Sequence, residues 1–586
     1  MQKRNYKGSL RLDWINKGLS LYYEIDEKEG KGVRPVWVSK NDIRVAEPRI
    51  LRFVKDYGDK TSDNMLIKGD NLLVLRSLVE MFKGRPNKEK VKCIYIDPPF
   101  NTGNAFKYYD DNLQHSEWLT MMRDRLWLLK KILRKGGFLA VHINNDEMPY
   151  LRVILDEIFS REGYVTQICW ERSQRTALGQ GASSINDTVE YVLIYTNDPL
   201  AKLNKLQKFY EIEERTIRQY SKRIVSFGKR KIFKESKDSD GNPITIFELE
   251  EFKIKSVSMR DFEKRYVEIY KELLDNFDSA VRLSNQQKES TFQQKVLSDF
   301  KANKTYVVEY IPKRGKNKGK KTEVFYHGKD VVLFLKNYAR KEQGVIWKLD
   351  DMNNFWTRKE ISMAGVASEG KVDFRRSKKP EKLIQRVIEL CSGENDFVFD
   401  SFAGSGTTGA VAHKMNRRWI MVEFGRNADE LIIPRMQRVI TGKDQTGISK
   451  DVNWQGGGGF KYYQLGESVI YEQDMNWKLK AEEMAEAVFL HFQYRPTDAK
   501  WLEKESMYLG RHQSARYHFA ISFASREIKT LTADLYEKIV AELEREKFKH
   551  LTIFTNVAVS VPPESLNDRV LVKKIPAAIL REYNLL

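Results

Sequence analysis

The sequence is poor in cysteine and lacks long apolar runs, and both shortages exclude whole classes of protein. Its three cysteines, Cys93, Cys169 and Cys391, lie far apart, so they support neither a disulfide framework nor a zinc site. No apolar run approaches the ~18 residues that a membrane-spanning helix needs. No apolar signal core follows the first residues either. We therefore expect a protein of the reducing cytoplasm, without a bound metal.

Basic residues outnumber acidic ones over the whole chain. Lys and Arg number 101 and Asp and Glu 81, which gives a formal net charge of +20 at neutral pH. This excess favours a polyanion as the partner. The 586 residues, 41% of them hydrophobic, are enough for three or more domains of ~100–200 residues each.

The spacing of apolar residues predicts alternating strands and helices from about residue 63 to 197 and again from about 372. Strands separated by helices indicate an α/β fold with a mainly parallel sheet covered on both faces. Strands are expected at residues 65–67, 91–96, 138–143, 164–170, 191–195, 397–400 and 419–422. Helices are expected at 72–81, 118–133 (ended by Gly136 and Gly137), 148–159, 380–390 and 408–415.

Residues 201–340 lack this rhythm and are strongly basic, with 32 Lys and Arg against 20 Asp and Glu. A charge run such as residues 313–321 can be no more than a solvated loop. Here, however, the whole insert is basic and separates two halves of a catalytic pattern, so we expect it to contact nucleic acid. The predicted domains are an appendage (1–60), a first α/β half (61–200), the insert (201–345), a second α/β half (346–455) and a C-terminal region (456–586).

The first motif that carries chemistry is Asp97-Pro98-Pro99-Phe100, at the end of a predicted buried strand. Parallel sheets place their sites at such strand ends. Two consecutive prolines fix the backbone and remove two N–H donors, so a carbonyl can point outward. A carboxylate, a carbonyl and an aromatic face side by side suit a planar amine. The alternative is a rigid turn with a capping aspartate.

The second motif runs from Asp400 to Gly409 and contains Gly-x-Gly-x-x-Gly starting at Gly404, with Glu423 nineteen residues later. Alone, this pattern would fit a nicotinamide or flavin enzyme equally well. Asp400 directly before the glycines would repel a pyrophosphate but attract the ammonium of a cofactor that carries an amino acid. No Gly-x-x-x-x-Gly-Lys-Ser/Thr pattern is present, which argues against an NTP-driven motor.

Together, the two motifs resemble the S-adenosylmethionine-dependent DNA amino-methyltransferases. The order, with the Asp-Pro-Pro-Phe half first, then a basic insert, then the glycine-rich half, is similar to the β class. That class has a circularly permuted Rossmann-like methyltransferase sheet with an inserted target-recognition domain. Further segments resemble the modification (Mod) subunits of type III restriction–modification systems, at residues 69–72, 101–104, 115–119, 379–383 and 457–460. The resemblance covers about 60–200 and 345–465, and it extends to the insert and to a C-terminal α+β domain only in placement and length.

The resemblance implies roles for single residues. Asp97 and the Pro98 carbonyl, in a turn completed by Pro99, would accept hydrogen bonds from the target amine, and Phe100 would stack on the extruded base. Asp in the first position is usual for adenine N6 enzymes, whereas cytosine N4 enzymes mostly carry Ser. S-Adenosylmethionine would be bound by Asp70 (adenine ring), Ser377, Lys379, Asp400, Phe402, Gly404, Ser405, Gly406 and Glu423 (ribose). For Lys379, a solvated charge beside a helix start is the alternative.

The implied function is methylation of adenine N6 in duplex DNA by base flipping, as the modification and recognition subunit of a type III system. The implied partners are double-stranded DNA, a second copy in a homodimer and a separate restriction (helicase–nuclease) subunit. The long insert and the β-class order argue against methylation of RNA or of a protein glutamine. Two alternatives remain open: a stand-alone enzyme for adenine N6 or cytosine N4, and a recognition subunit that mainly guides a nuclease.

Overall fold

The computed structural model describes most of the chain, and the described residues form two compact units. The described ranges are 10–26, 32–101, 105–106, 109–110, 115–173, 187–238, 241–285, 297–312, 319–374, 378–471, 473–497, 507–513, 515–525, 528, 530–562 and 566–583. The first unit comprises residues 1–204 and 353–586, and the second comprises residues 205–352.

The first unit begins with ten strands and four helices. They are β1 Ser20–Asp26, β2 Gly32–Val38, α1 Ile43–Ala46, β3 Leu51–Gly58, β4 Met65–Lys68, α2 Asn71–Phe82, β5 Val91–Ile96, β6 Ala105–Phe106, β7 Tyr109–Asp110, α3 His115–Ile132, β8 Leu133–Ile143, α4 Met148–Phe159, β9 Tyr164–Glu171 and β10 Val189–Thr196.

The second unit follows with eleven strands and two described helices. They are β11 Gln207–Glu211, α5 Glu214–Gln219, β12 Lys222–Ser226, β13 Lys229–Lys237, β14 Pro243–Glu250, β15 Lys253–Ser256, α6 Tyr266–Asp275, β16 Ala280–Ser284, β17 Thr305–Tyr310, β18 Thr322–His327, β19 Asp330–Phe334, β20 Ala339–Glu342 and β21 Val345–Asp351.

The chain then returns to the first unit. Its elements are β22 Phe355–Trp356, α7 Glu381–Cys391, β23 Phe397–Asp400, α8 Thr407–Lys414, β24 Arg418–Glu423, α9 Ile433–Ile440, β25 Gly459–Leu465, β26 Ile470–Tyr471, β27 Asp474–Met475, α10 Ala481–His491, β28 Tyr494–Pro496, β29 Tyr508–His512, β30 His518–Phe523, β31 Thr530–Thr532, α11 Ala533–Glu544, β32 His550–Thr555, β33 Ala558–Ser560, β34 Val570–Lys574 and α12 Ala577–Glu582.

A ten-stranded sheet organises the first unit, in the order β22-β9-β10-β8-β5-β23-β24-β4-β25-β3. Six consecutive strands, from β8 to β25, run parallel, which confirms the expected α/β fold. The central strands are apolar and buried, since the sheet is covered on both faces. From β5 the chain crosses through α3 to β8 on one side, and from β23 through α8 to β24 on the other. β5 and β23 therefore flank a topological switch point, where open α/β sheets bind their ligands.

The sheet extends beyond the segments in which the sequence indicates strands. β3 lies within the expected appendage 1–60 and β25 within the expected C-terminal region 456–586, yet both are strands of the main sheet. They pair antiparallel, and the ring of Phe460 stacks on that of Tyr57 with centroids 4.8 Å apart. The pairing joins segments some 400 positions apart along the chain. Such a contact cannot be predicted from local periodicity.

The helix expected over 118–133 is present as α3, but the prediction that Gly136 and Gly137 end it is wrong. Helix α3 ends at Ile132, and both glycines lie inside strand β8. The reason is an irregular pairing with β5: Val91 pairs with Leu133, but Cys93 already pairs with Phe138. The extra residues bulge from the ladder, and Gly136 takes a φ of +75° there.

The second unit is rich in antiparallel strands, although its sequence shows no strong rhythm. Its sheets have the orders β11-β21-β20 and β13-β14-β17-β18-β19-β16-β12-β15. Edge strand β13 is exposed along its whole length, so its residues need not alternate between polar and apolar. Residues 313–318 of the basic run lie outside the described residues.

The last part of the chain forms a five-stranded mixed sheet, β28-β29-β30-β32-β34, within the first unit. Helices α10 and α11 bury their apolar faces in two clusters beside it. Among the described residues, no helix is both long and apolar enough to span a bilayer.

Candidate functional site

Four carboxylates lie at the same edge of the main sheet, at or just after the ends of four neighbouring parallel strands. Asp97 follows β5, Asp400 ends β23, Glu423 ends β24 and Asp70 follows β4 two residues on. Each comes after a short apolar strand, which is why local pattern alone could find them. Strand pairing then brings the two motifs, 300 residues apart in the chain, to one crevice.

The Asp97-Pro98-Pro99-Phe100 turn presents two hydrogen-bond acceptors that nothing in the described part of the chain uses. The Asp97 Oδ1 atom is buried without a hydrogen-bond partner among the described residues. No described residue donates to the Pro98 carbonyl either. The Pro99 carbonyl, in contrast, accepts a hydrogen bond of 2.8 Å from the Trp118 indole of α3. This contact fixes the turn, and it does not involve Asp97 Oδ1 or the Pro98 carbonyl.

Lys379 contacts Asp97, not a cofactor-binding side chain. Its ammonium Nζ lies 3.0 Å from Asp97 Oδ2 and 3.6 Å from Glu190 Oε2. The same Nζ is 4.6 Å from the centroid of the Phe100 ring. The Lys379 side chain is only 10% exposed. The residue therefore binds one oxygen of Asp97 and leaves the other, Oδ1, free for a ligand.

A buried hydrogen-bonded network of Glu190, His142 and Tyr95 supports Lys379. Glu190 Oε2 lies 2.8 Å from His142 Nε2, and the Tyr95 hydroxyl lies 2.9 Å from His142 Nδ1. Burial raises the pKa of the Glu190 carboxyl, but Lys379, His142 and Arg172 together outweigh it and lower that pKa. Glu190 is thus a fixed anion that holds Lys379 beside Asp97.

Sequence reasoning missed Tyr95, His142 and Glu190. The available signal is that each polar group lies next to apolar residues in a strand of the central sheet: β5, β8 and β10. Buried polar groups need partners, so polar groups at such positions indicate a network.

Asp400 is buried and bound by neutral donors. Its Oδ1 accepts the Phe402 backbone N–H at 2.8 Å, and its Oδ2 accepts the Thr408 hydroxyl at 2.6 Å. Burial raises the pKa of the Asp400 carboxyl to about 7, and the nearby charge of Asp97 adds to the rise despite these two hydrogen bonds. A cationic ligand group would reverse this effect.

The glycine-rich turn connects β23 to α8 through two left-handed residues. Gly404 has a φ of +52° and Gly406 a φ of +73°. A Cβ at Gly406 would lie 3.0 Å from Ile432, closer than most real contacts. The Gly404 N–H donates to Glu423 Oε2 at 2.7 Å, so Glu423 holds the turn as well as facing the edge.

A buried arginine, which sequence reasoning did not single out, holds the turn from behind. Arg435 donates to the Ser405 carbonyl at 3.0 Å and to the Thr407 hydroxyl at 2.8 Å. Its charge is met by Glu381 Oε1 at 2.8 Å, and both side chains are fully buried. Ser405 therefore contributes its backbone to the shape of the turn.

Two further predicted residues, Asp70 and Phe402, are half-buried. Asp70 is the N-cap of α2 and accepts the Leu72 N–H at 2.8 Å, with Arg125 3.5 Å from its other oxygen. Phe402 is half-buried against the main core. Ser377 lies outside the described residues.

A family model described as DNA methylase, of the N6/N4 methyltransferase type, matches residues 91–433, more than half of the chain. The chain belongs to the DNA methylase family. The resemblance indicated by the two motifs is thereby confirmed. The match begins at β5 and ends at the start of α9, so it contains both motifs and the insert between them.

Curated relatives are similar over different lengths. The probable type III restriction-modification enzyme HindVI Mod subunit of Haemophilus influenzae is 34% identical over 467 residues, 75% of this chain and 60% of the relative. The EcoPI Mod subunit of Escherichia phage P1 is 23% identical over 406 residues, 61% of this chain and 56% of the relative. The chain thus spans about three fifths of these two relatives.

Two solved structures are also similar to this chain. The PvuII DNA methyltransferase (cytosine-N4-specific) is 14% identical, with a TM-score of 0.29 over 68% of this chain and 94% of the other. A putative DNA modification methylase of Thermus thermophilus, complexed with S-adenosyl-L-methionine, is 12% identical, with a TM-score of 0.28 over 68% and 99%.

Proposed function

We propose that this protein transfers a methyl group from S-adenosylmethionine to the N6 amine of adenine in duplex DNA. One observation carries the proposal: Asp97 Oδ1 and the Pro98 carbonyl are open acceptors beside Phe100, one strand away from the glycine-rich turn. Two acceptors and a ring match the two hydrogens and the plane of an aromatic amine. Membership of the DNA methylase family supports the same conclusion.

The chain's own groups would act on the target by positioning it. An aromatic amine is a weak nucleophile because its lone pair is delocalised into the ring. Asp97 and the Pro98 carbonyl would accept its two N–H groups and orient the lone pair towards the methyl donor. Extruding the base costs a few kcal/mol, and stacking on Phe100 returns about 1–3 kcal/mol.

Asp400, Phe402, Gly404, Ser405 and Gly406 would hold the methionine part of the cofactor. The fit rests on Asp400, since a buried carboxyl with a pKa of about 7 and no countercharge among the described residues suits an ammonium. Glu423 would accept from the ribose hydroxyls, and Asp70 would face the adenine ring. When bound, S-adenosylmethionine supplies an electrophilic methyl group. Lys379 is assigned here to the target side of the crevice, because its ammonium lies on Asp97.

Adenine is proposed over cytosine because the first motif begins with Asp97. The relatives named as type III Mod subunits support a role as the modification subunit of such a system. In that role the chain would recognise DNA for a separate restriction subunit and would pair with a second copy. Size-exclusion chromatography with light scattering, alone and with a co-expressed restriction subunit, tests both associations.

The second unit is proposed to contact DNA. Its edge strand β13 is exposed along its length and carries five basic residues among nine. Edge strand β15 of the same sheet adds Lys253 and Lys255. Such residues bind phosphates, so affinity should fall with salt for all sequences alike.

The decisive experiment is methylation of DNA by the purified chain with labelled S-adenosylmethionine, followed by nucleoside analysis and methylation-sensitive sequencing. We expect N6-methyladenine at one recurring sequence, and no label with Asp97→Ala. N4-Methylcytosine alone would refute the assignment of the base. Absence of label in DNA together with label in RNA or protein would refute the substrate class.

A further inference from the structure

Far from the crevice, a cleft of about 390 Å³ is lined by cationic side chains from two distant parts of the first unit. Its charged lining residues are Lys83 and Arg85, just after α2, and Arg495 and Arg511, on β28 and β29. The side chains of His512 and Gln513 also line the cleft. Among the described residues that line the cleft, none is acidic.

Two of these arginines share a single acceptor. Arg85 Nε donates to the Met81 carbonyl at 3.0 Å, and Arg495 Nη2 donates to the same oxygen at 3.2 Å. Among the described residues, no carboxylate lies within ion-pair distance of either guanidinium. Burial and then the charge of Arg495 lower the pKa of Arg85, while Glu89 and Asp63 only partly raise it. An anion between the two guanidinium groups would relieve their repulsion.

The other two cations have only weak partners. Lys83 Nζ lies 3.3 Å from Glu80 in the last turn of α2, and Arg511 lies 3.7 Å from Glu546, which is itself about half exposed. Exposed pairs of this kind contribute little and exchange readily. The charges of the cleft are therefore available to a ligand.

The cleft is separate from the target crevice. Helix α2 begins beside Asp70 at the crevice and ends at Phe82, next to Lys83. Twelve residues of α-helix at about 1.5 Å each span about 18 Å. The cleft therefore lies at the opposite, amino-terminal edge of the sheet, and a base flipped to Asp97 does not reach it.

We propose that this cleft is a binding site for phosphate groups. Guanidinium groups form paired hydrogen bonds with phosphate oxygens, and a cluster of three arginines and a lysine suits a ligand with several negative charges. Neighbouring phosphates of a diphosphate or of a nucleic-acid backbone share this chemistry. The binding does not depend on the proposed methyl transfer.

Calorimetric titration of the full chain with inorganic pyrophosphate, and with a short DNA duplex, tests the proposal. The test variant is Arg495→Gln/Arg511→Gln. Arg511→Gln alone serves as the second variant, since its side chain is exposed and its loss leaves the Met81 carbonyl capped. The matched control is Arg545→Gln, an exposed arginine just after α11 and outside the cleft. Thermal unfolding checks that each variant is folded.

We expect the double variant to weaken pyrophosphate binding about tenfold or more, with Arg545→Gln unchanged. If the double variant changes only the binding of the duplex, that binding should weaken, and the slope of log affinity against log salt concentration should fall in magnitude by about two. This outcome supports a nucleic-acid backbone as the source of the phosphates. Equal binding of both probes by the folded variants and the control would overturn the proposal. No binding of pyrophosphate by the wild type, together with an unchanged duplex slope in the variants, would overturn it as well.

Discussion

Replacing Lys379 by methionine tests whether this residue acts on the target base or on the cofactor. Its ammonium lies 3.0 Å from Asp97 Oδ2, between side chains that are 10% and 20% exposed. Methionine keeps most of the length and the apolar stem but removes the charge. A hydrogen bond between charged groups contributes about 1.5–3 kcal/mol, and Asp97 loses that orienting contact. We therefore expect kcat to fall about 10- to 100-fold.

The assay is methyl transfer to duplex DNA at saturating cofactor, combined with calorimetric titration of S-adenosylmethionine. Lys379→Met should lower kcat and leave cofactor affinity unchanged, and Lys379→Arg should recover part of the rate. Lys382→Met is the matched control, because this nearby lysine is 41% exposed and pairs with Asp451 at 2.6 Å. A Lys379→Met protein with normal kcat and weakened cofactor binding would refute the reasoning and return Lys379 to the cofactor side.

Three further predictions follow from the same geometry. Asp97→Asn should abolish methyl transfer but keep cofactor affinity in a titration, because the side chain faces the amine; normal turnover would contradict this. The pKa of Asp400 is raised to about 7, so cofactor affinity should rise from about pH 6 to pH 8 as the carboxyl ionises, and Asp400→Asn should remove this dependence. Because the pKa of Asp400 is higher in the folded than in the unfolded protein, Asp400 contributes to the stability of the cofactor-free protein fully below the ordinary aspartate pKa. This contribution is lost as pH rises through about 7, and thermal unfolding of the wild type and of Asp400→Asn at a series of pH values measures it. Gly406→Ala should lower the free energy of unfolding by more than Gly425→Ala, because both have a φ near +75° but only Gly406 has a close neighbour, Ile432 at 3.0 Å. Equal losses in denaturant unfolding would show that backbone strain alone matters.

Local pattern predicts the parts of this site that a single strand and its following turn define. Asp97, Asp400 and Glu423 each come at or just after the end of a short apolar strand, and the rule that parallel strands end at one edge brings them together. Register along the strand is a local property, so these positions could be predicted. The bulge in β8 could not, because it depends on how β5 pairs with that strand.

Contacts between segments that are distant in the chain could not be predicted from the sequence. Lys379 reaches Asp97 across 282 positions, and its charge is oriented by Glu190 from a third segment. A lysine before a helix has the same local pattern whether it is solvated or buried. Only the packing of α7 against the main sheet decides between the two. Arg435 is similar, since nothing in its own helix indicates that it supports the turn at Ser405.

Asp97 and Asp400 end neighbouring strands but have opposite electrostatic surroundings. Asp97 pairs with an ammonium, whereas Asp400 is 2% exposed and its side chain accepts from a hydroxyl and a backbone N–H among the described residues. A neutral amine needs an acceptor that is held in a fixed orientation, and the Lys379 contact provides that at Asp97. A cation gains most from a carboxylate that lacks a countercharge, and burial provides that at Asp400. The partners of each aspartate, and not the residue type, therefore assign one to the target amine and the other to the charged end of the cofactor.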